Sequence, residues 1–344
     1  MRKRKHITIR DIARESGASL TTVSLVLNNR DGRISEATRI RVREAVSRLG
    51  FRPNRLAQGL QSQRAGILAI LVPELQHAFA DAYIGELVSA IHDRANRAGN
   101  KILLEVAHPE FIERGHHREL FDRHFVDGVL CIGVTNNDRY LADFEDGVGP
   151  MVVVNNYIPG LTLNSVRCDY REAGKVAGEH LLNLGHRRIG LIHGAPEVQT
   201  TADLRKGFEE ALAATGISLP PYRVADGRFL EEGGADAAFQ ILKRDASVTA
   251  FLCGNDKMAI GAMNALVHAG RRVPNDVSII GCDDLKQATF CNPPLSTVRT
   301  PLYDLGTRAC EALLELVEGE TDRISEIRPV QLVIRESTAP PRSD

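Results

Sequence analysis

The chain has 344 residues, 43% hydrophobic and 25% charged, with 43 Lys or Arg against 44 Asp or Glu and a formal net charge of −1. That composition is ordinary globular usage and excludes disordered and collagen-like classes, while the whole-chain charge gives no sign of a polyanionic partner. The neutrality is a cancellation: residues 1–64 hold fifteen basic against five acidic side chains, net +10, and the remainder carries 28 against 39, net −11. Charge asymmetry of this kind points to a polyanion-binding head on an acidic body, and the length suggests about two or three domains.

The basic N-terminus is not followed by an apolar stretch of signal-peptide length, because Asp11, Arg14 and Glu15 interrupt it. No run of about 18 apolar residues occurs anywhere, so neither a membrane span nor a membrane partner is expected, and a cytoplasmic location is. Cys131, Cys168, Cys253, Cys282, Cys291 and Cys310 never form C-x-x-C. This spacing argues against a zinc site and for reduced thiols.

In chain order, Thr8 is placed to cap a first helix with Asp11 three residues on, a T-x-x-D variant of the capping box. Ile9, Ile12, Ala13 and Ser16 form its narrow inward face, and Gly17 stops it. Ser19 caps a second helix over about 20–28, with Val23, Val26 and Leu27 inward. A Gly-containing turn between two short helices makes a helix-turn-helix unit. A third helix starts at Ser35 and buries Val42, Ala45, Val46 and Leu49, leaving Arg39, Arg41, Arg43 and Arg48 outside. The second helix shows Leu20, Thr21 and Leu25 where a recognition helix meets base edges. The surrounding positive charge serves phosphates, which give affinity without sequence information.

Residues 7–29, ITIRDIARESGASLTTVSLVLNN, and 34–60, ISEATRIRVREAVSRLGFRPNRLAQGL, resemble the DNA-binding head of the lactose-repressor (LacI/GalR) family. The resemblance implies DNA contacts from Thr8, Ser19, Leu20, Thr21, Thr22, Ser24, Leu25, Asn28 and Arg33. Leu25 stands where many members have arginine; leucine touches a thymine methyl but cannot bond bidentately to guanine. After Pro53, the stretch 54–60 is too short for a stable isolated helix, and Gly59 weakens it further. A flexible linker is one reading of it. The resemblance implies instead a hinge helix that orders on DNA, with Asn54, Arg55 and Ala57 as contacts and Leu60 as a minor-groove wedge.

From Gly66, apolar runs of strand length alternate with helical stretches. Strands are expected at 67–72, 101–106, 128–131, 151–154, 189–192, 250–253 and 278–280. Helices are expected at 81–97, 172–184, 202–214, 235–244, 257–269 and 302–318. All-apolar strands between helices suit a parallel sheet covered on both faces, a doubly wound α/β architecture. Ligands in such sheets sit outside the carboxyl ends of the strands, here 73–79, Asn155, Asn255-Asp256 and Asp283-Asp284.

The segments LGHRRIGLIHG (184–194), CGNDKMAIGAM (253–263), VSIIGCDD (277–284) and PPLSTVR (293–299) resemble the effector-binding body of the same family, related in fold to periplasmic sugar-binding proteins. The resemblance implies an all-α helix-turn-helix head at 1–52, a hinge at 53–64 and a body at 65–344. The body would hold two doubly wound parallel-sheet subdomains, about 65–163 with 293–321 and about 164–292 with 322–344. A small effector, a sugar or related metabolite, would lie between them on Phe79, Asn155, Arg205, Phe229, Asn255, Lys257 and Asp283. Phe79 and Phe229 also fit as core residues, and Asp283 as a turn cap. Many members carry an arginine three residues before the Gly-Phe of the helix at 202–214. Here Leu204 stands there and Arg205 follows, about 100° further round the helix.

Neither G-x-S-x-G, G-x-x-x-x-G-K-[ST] nor H-E-x-x-H occurs, so no catalytic residue, metal or cofactor is expected. The histidines His77, His108, His116, His117 and His124 read as mostly solvated. A transport-type solute-binding protein is the competing reading; the head argues against it. The sequence thus predicts a homodimeric transcription regulator, a repressor, on pseudo-palindromic double-stranded operator DNA. No terminal heptad repeat suggests a larger assembly.

Overall fold

The computed structural model describes residues 7–27, 33–51, 64–74 and 81–342. It divides into two compact units, Met1–Ala65 and Gly66–Asp344. Asn28, Asn54, Arg55, Ala57, Leu60 and Phe79, and with them the expected hinge helix, lie outside the described residues.

In the first unit the helices α1 (Ile9–Ser16), α2 (Leu20–Leu27) and α3 (Glu36–Leu49) follow the expected order. Thr8 N donates to Asp11 Oδ2 at 2.9 Å and the Thr8 hydroxyl to the same oxygen at 2.7 Å, closing the capping box on α1. Gly17 and Gly50 end α1 and α3 at φ +67° and +62°, a left-handed conformation that a side chain would oppose. Ile12, Val23, Val26, Val42 and Ala45, drawn from all three helices, make one small core.

The second unit begins with β1 (Ile67–Pro73), α4 (Ala82–Arg97), β2 (Lys101–Ala107), α5 (Pro109–Glu113), α6 (His116–Glu119), β3 (Gly128–Ile132), β4 (Met151–Val154) and β5 (Ser165–Cys168). It continues with α7 (Tyr170–Asn183), β6 (Ile189–His193), α8 (Gln199–Ala214), β7 (Val224–Asp226), α9 (Glu231–Arg244), β8 (Ala250–Cys253), α10 (Asp256–His268), β9 (Ser278–Asp283) and α11 (Lys286–Phe290). It closes with β10 (Ser296–Arg299), α12 (Leu302–Glu318), β11 (Ser325–Arg328) and β12 (Gln331–Val333). Two six-stranded sheets result, ordered β11-β5-β4-β3-β1-β2 and β12-β10-β9-β8-β6-β7. Every pairing is parallel except β10 with β12.

Alternation along β1 shows why these strands read as continuous apolar runs. Leu68, Ile70 and Val72 join the core under α4 and α12, while Ala69 and Leu71 join Phe111, Val126 and Leu141 on the other face. Both faces are covered, so no polar position is needed.

The strand pairings locate three crossings of the chain between the halves. Ser165–Cys168 pairs in the first sheet with β4, and Ser325–Arg328 pairs with β5. Ser296–Arg299 pairs in the second sheet with β9. The crossings therefore fall at 169, 300–301 and 329–330 rather than near 164, 293 and 322. The physical reason is shared: SVRC, STVR and SEIR are four-residue strands with a polar first residue. None is an apolar run of the kind that marks the other strands, and the bounds implied by the resemblance fall at the turn before each.

Candidate functional site

In the head, the outward residues of α2 are those the sequence singled out. Leu20 is 46% and Leu25 36% exposed, Thr21 is exposed, and Val23 and Val26 are buried behind them. Ser19 and Thr22 serve the helix itself: Ser19 Oγ accepts from Thr22 N at 3.0 Å and lies 2.9 Å from Thr22 Oγ1. Thr8 is likewise spent on Asp11. Ser24 is half-buried, and Arg33 is exposed at the start of the segment leading to α3.

In the body, the candidates gather where the two halves meet. Asn155 follows β4 at φ +56°, is 2% exposed and uses its whole amide. Its Nδ2 donates to Tyr83 Oη at 2.8 Å and Tyr170 Oη at 2.9 Å, and its Oδ1 accepts from Cys168 N at 3.0 Å. Tyr170 Oη then donates to Asp283 Oδ1 at 3.4 Å, and Thr300 Oγ1 donates to the same oxygen at 3.2 Å. This chain of polar groups runs along two of the three crossings, since Tyr170 follows 169 and Thr300 is the second crossing itself.

Asp283 ends β9 at φ +116° and Asp284 follows at +59°, two left-handed residues that turn their carboxylates in different directions. Asp284 accepts from Arg299 Nε at 2.7 Å and Arg335 Nη2 at 2.6 Å. Among the described residues Asp283 has no such cation; burial, then the nearby Asp256 charge, holds its carboxyl well above the usual carboxylate range. A carboxyl that keeps its proton donates one hydrogen bond as well as accepting. Beneath this turn lies Asp256, fully buried, accepting from Thr297 Oγ1 at 2.5 Å and Leu285 N at 2.7 Å.

Burial pushes Asp256 up to about 7. Folded Asp256 thus keeps its proton to about pH 7, whereas an unfolded carboxyl loses it near pH 4. Between those values the folded state binds more protons, so this group's contribution to stability falls as pH rises. His186, whose pKa burial lowers, acts in the opposite sense near pH 6.5. Comparing wild type with Asp256→Asn cancels it. The melting-temperature advantage of wild type should shrink from pH 5 to about pH 7 and level off above it; an advantage flat from pH 5 to pH 7 would contradict the assignment.

On the second half, Asn255 caps α10 by accepting from Met258 N at 2.8 Å, and its Nδ2 reaches Phe229 O at 3.4 Å. Phe229, at φ +59°, lays its ring against Gly194, where a Cβ would sit 2.0 Å away. Lys257 reaches across to the first half, 2.8 Å from Asp81 Oδ2, with Glu231 at 3.7 Å. Asp81 also caps α4 through Tyr83 N and Ile84 N.

Arg205 does not join this group. It is half-exposed and pairs with Glu209 one turn on at 2.7 Å, while Leu204 is 2% exposed in the core. Two residues of α8 reach the first half: Gln199, whose Oε1 accepts from Asn136 Nδ2 at 3.4 Å, and Asp203, about 200° round the helix from Arg205. The two oxygens of Asp203 accept from Tyr157 Oη at 3.1 and 3.0 Å, and Gln199 Nε2 donates to Asp203 at 3.2 Å. Arg167 stacks on the Tyr157 ring at 4.4 Å, and Asn136 N donates to Glu197 O at 2.7 Å. The two halves therefore touch on one side through Asn136 and Tyr157, and on the other through Asp81 and Lys257.

Of the histidines read as mostly solvated, His77 lies outside the described residues and one of the others departs. His117 is buried rather than solvated, with Nε2 2.7 Å from Asp143, and His108 caps α5 by accepting from Phe111 N at 3.1 Å. Among the described residues no group of three or more His, Cys, Asp or Glu is placed to hold a metal ion. No helix among them is long and apolar enough to cross a membrane.

Residues 8–54 match the family model described as bacterial regulatory proteins, lacI family, and residues 178–338 match a periplasmic binding protein-like domain. The transcriptional regulator GalS of Salmonella typhimurium is 34% identical over 92% of both chains. The transcriptional repressor CytR of Escherichia coli is 31% identical over 96% of both. This chain belongs to the lacI family. Among solved structures, the lac repressor dimer bound to operator and the anti-inducer ONPF is 26% identical, with a TM-score of 0.85 over 97% of this chain and all of the other. A complex of the regulator CelR with cellobiose is 28% identical, with a TM-score of 0.75 over 96% and 99%.

Within this lacI-family body the structure adds Asp81, Tyr83, Asn136, Tyr157, Tyr170, Asp203 and Thr300 to the residues named from sequence. Each acts through a partner remote in the chain: Tyr157 and Asp203 are 46 residues apart, Asp81 and Lys257 176 apart. Pattern along one segment carries no trace of such pairs. The one available signal was Asp81 before an apolar helical run, a capping pattern.

Proposed function

We propose that this protein is a transcription regulator, a repressor, that binds a pseudo-palindromic operator as a homodimer and responds to a small ligand held between the halves of its body. One observation carries this reading: a helix-turn-helix head whose segment is net +10 joins, in one chain, a body whose two sheets are linked by three crossings. A solute-binding protein has use for the second part alone. The protein acts by binding rather than catalysis, in the cytoplasm, as its relatives' description as transcriptional regulators and repressors supports. The lac repressor structure, a dimer on operator DNA, supports the dimeric arrangement, and the cellobiose complex of CelR supports a sugar or related metabolite as effector.

Of the candidate effector residues, Asn155, Phe229, Asn255, Lys257 and Asp283 line the meeting of the halves, with Phe79 assigned by resemblance. Apolar rings with a few convergent polar groups suit a small ligand. A ligand shifts the halves only through unequal affinity for their arrangements. Here it has defined contacts to replace: Lys257 with Asp81, and Tyr157 with Asp203.

Selection of the full chain against random double-stranded DNA tests the reading. Enrichment of an inverted repeat is expected, because a two-fold dimer reads two half-sites. Enrichment of a single unrepeated site would contradict the dimer, and no enrichment would contradict the DNA-binding function.

A further inference from the structure

The exposed face of α2 has an unusual chemistry for a helix meant to read base edges. Its sequence, LTTVSLVL, contains no Arg, Lys, Asn or Gln. Those are the side chains that bond bidentately to guanine or adenine in the major groove. What α2 shows outward is Leu20, Thr21 and Leu25, two isobutyl groups and a threonine methyl, with both leucines more than a third exposed. Ser19 and Thr22 at the same end are engaged with each other, and Ser19 Oγ also accepts from Thr22 N. Thr21 and Leu25 lie one turn apart on one face. Leu20 and Leu25 are separated by about 7.5 Å along the axis, about two base-pair steps.

Exposed leucines on a small domain call for a partner that covers them, and the charge around them says which. Arg10, Arg14, Arg33, Arg41, Arg43 and Arg48 are all exposed on the same unit. Together they favour a polyanion that also offers apolar groups on its surface. Duplex DNA does so at one point, the C5-methyl of thymine in the major groove. We propose that at Leu20, Thr21 and Leu25 this protein reads its half-site through thymine methyl groups, rather than through bidentate hydrogen bonds to guanine or adenine. The arginines then supply sequence-independent affinity. A C5-methyl on cytosine occupies the same place in the groove, so 5-methylcytosine substitutes for thymine at these positions.

This inference rests on the DNA-binding reading, and its test separates the two. An operator is first selected from random duplex DNA with the full chain. Each thymine of a half-site is then replaced singly by uracil, which pairs identically but lacks the methyl. Losing one buried methyl contact should weaken binding about four-fold at two or three positions, and at no others. At those positions a 5-methylcytosine–guanine pair should bind more tightly than an unmethylated cytosine–guanine pair. Leu25→Ala, a surface change, should make one of these positions indifferent to uracil while leaving the salt dependence of binding unchanged. An operator whose affinity is unaffected by every uracil would overturn the methyl readout and leave DNA binding standing. So would a Leu25→Ala variant that keeps full sensitivity at every position. Failure to select any sequence would overturn both.

Discussion

Gly207→Ala is expected to lower the melting temperature of the body by roughly 6–12 °C. In an isolated helix the same change stabilises by up to about 1 kcal/mol, because glycine is a poor helix former. Here α7 and α8 are in backbone contact: a Cβ on Gly207 would sit 1.7 Å from Arg171 O, and one on Gly174 1.9 Å from Leu204 O. Neither oxygen belongs to a flexible side chain, so the helices must separate, and with them the packing of Phe208 and Leu204. Overpacking of a well-filled interface typically costs about 1–3 kcal/mol, occasionally more. A clash with backbone at 1.7 Å places the cost above that usual range, at about 4 kcal/mol, and the net loss of about 3 kcal/mol after the helix gain corresponds to the stated shift. Thermal unfolding of the purified variant checks it, and melting at or above the wild-type temperature would mean the two helices are not so closely seated.

Asp283→Ala should abolish the response to any ligand that shifts the wild-type melting temperature, and should itself destabilise. Removing the carboxyl leaves the Tyr170 and Thr300 hydroxyls buried without their acceptor, at about 1–3 kcal/mol each as an upper range. Asp283→Asn separates the two effects. Because Asp283 holds its proton well above the ordinary carboxylate range, the amide matches it in shape, charge and in having both a donor and an acceptor. Asparagine also tolerates a positive φ better than most residues. The Asn variant should therefore lie closer to wild type than the Ala variant in stability, and keep much of the ligand response. An Ala variant that melts and responds as wild type does would remove Asp283 from the site.

Much of this was legible in the sequence because local physics determines it. The capping box at Thr8 and Asp11, the stop at Gly17, and the strands 151–154 and 250–253 each follow from a few adjacent residues. The one-residue offset of Arg205 was legible too, since helical geometry alone turns it from the position of Leu204. The three crossings came only from the family resemblance and a few residues early, because Ser165, Ser296 and Ser325 begin short strands whose pairing energy comes from neighbours far along the chain. For the same reason Asn155 was recognised by position, while its bonds to Tyr83 and Tyr170 were not. Asp203 escaped notice altogether, being one acid on an amphipathic helix until Tyr157 is brought against it.

The central claim is that one chain carries a DNA grip in its head and a ligand sensor in its body. Operator affinity measured across salt concentration, for the full chain and for residues 66–344, tests it most directly. The full chain should lose about 10³-fold or more in affinity between 50 and 200 mM salt despite a whole-chain charge near zero, and the body alone should show no operator binding while still melting cooperatively. Operator binding by residues 66–344, or an affinity of the full chain that is flat with salt, would contradict it.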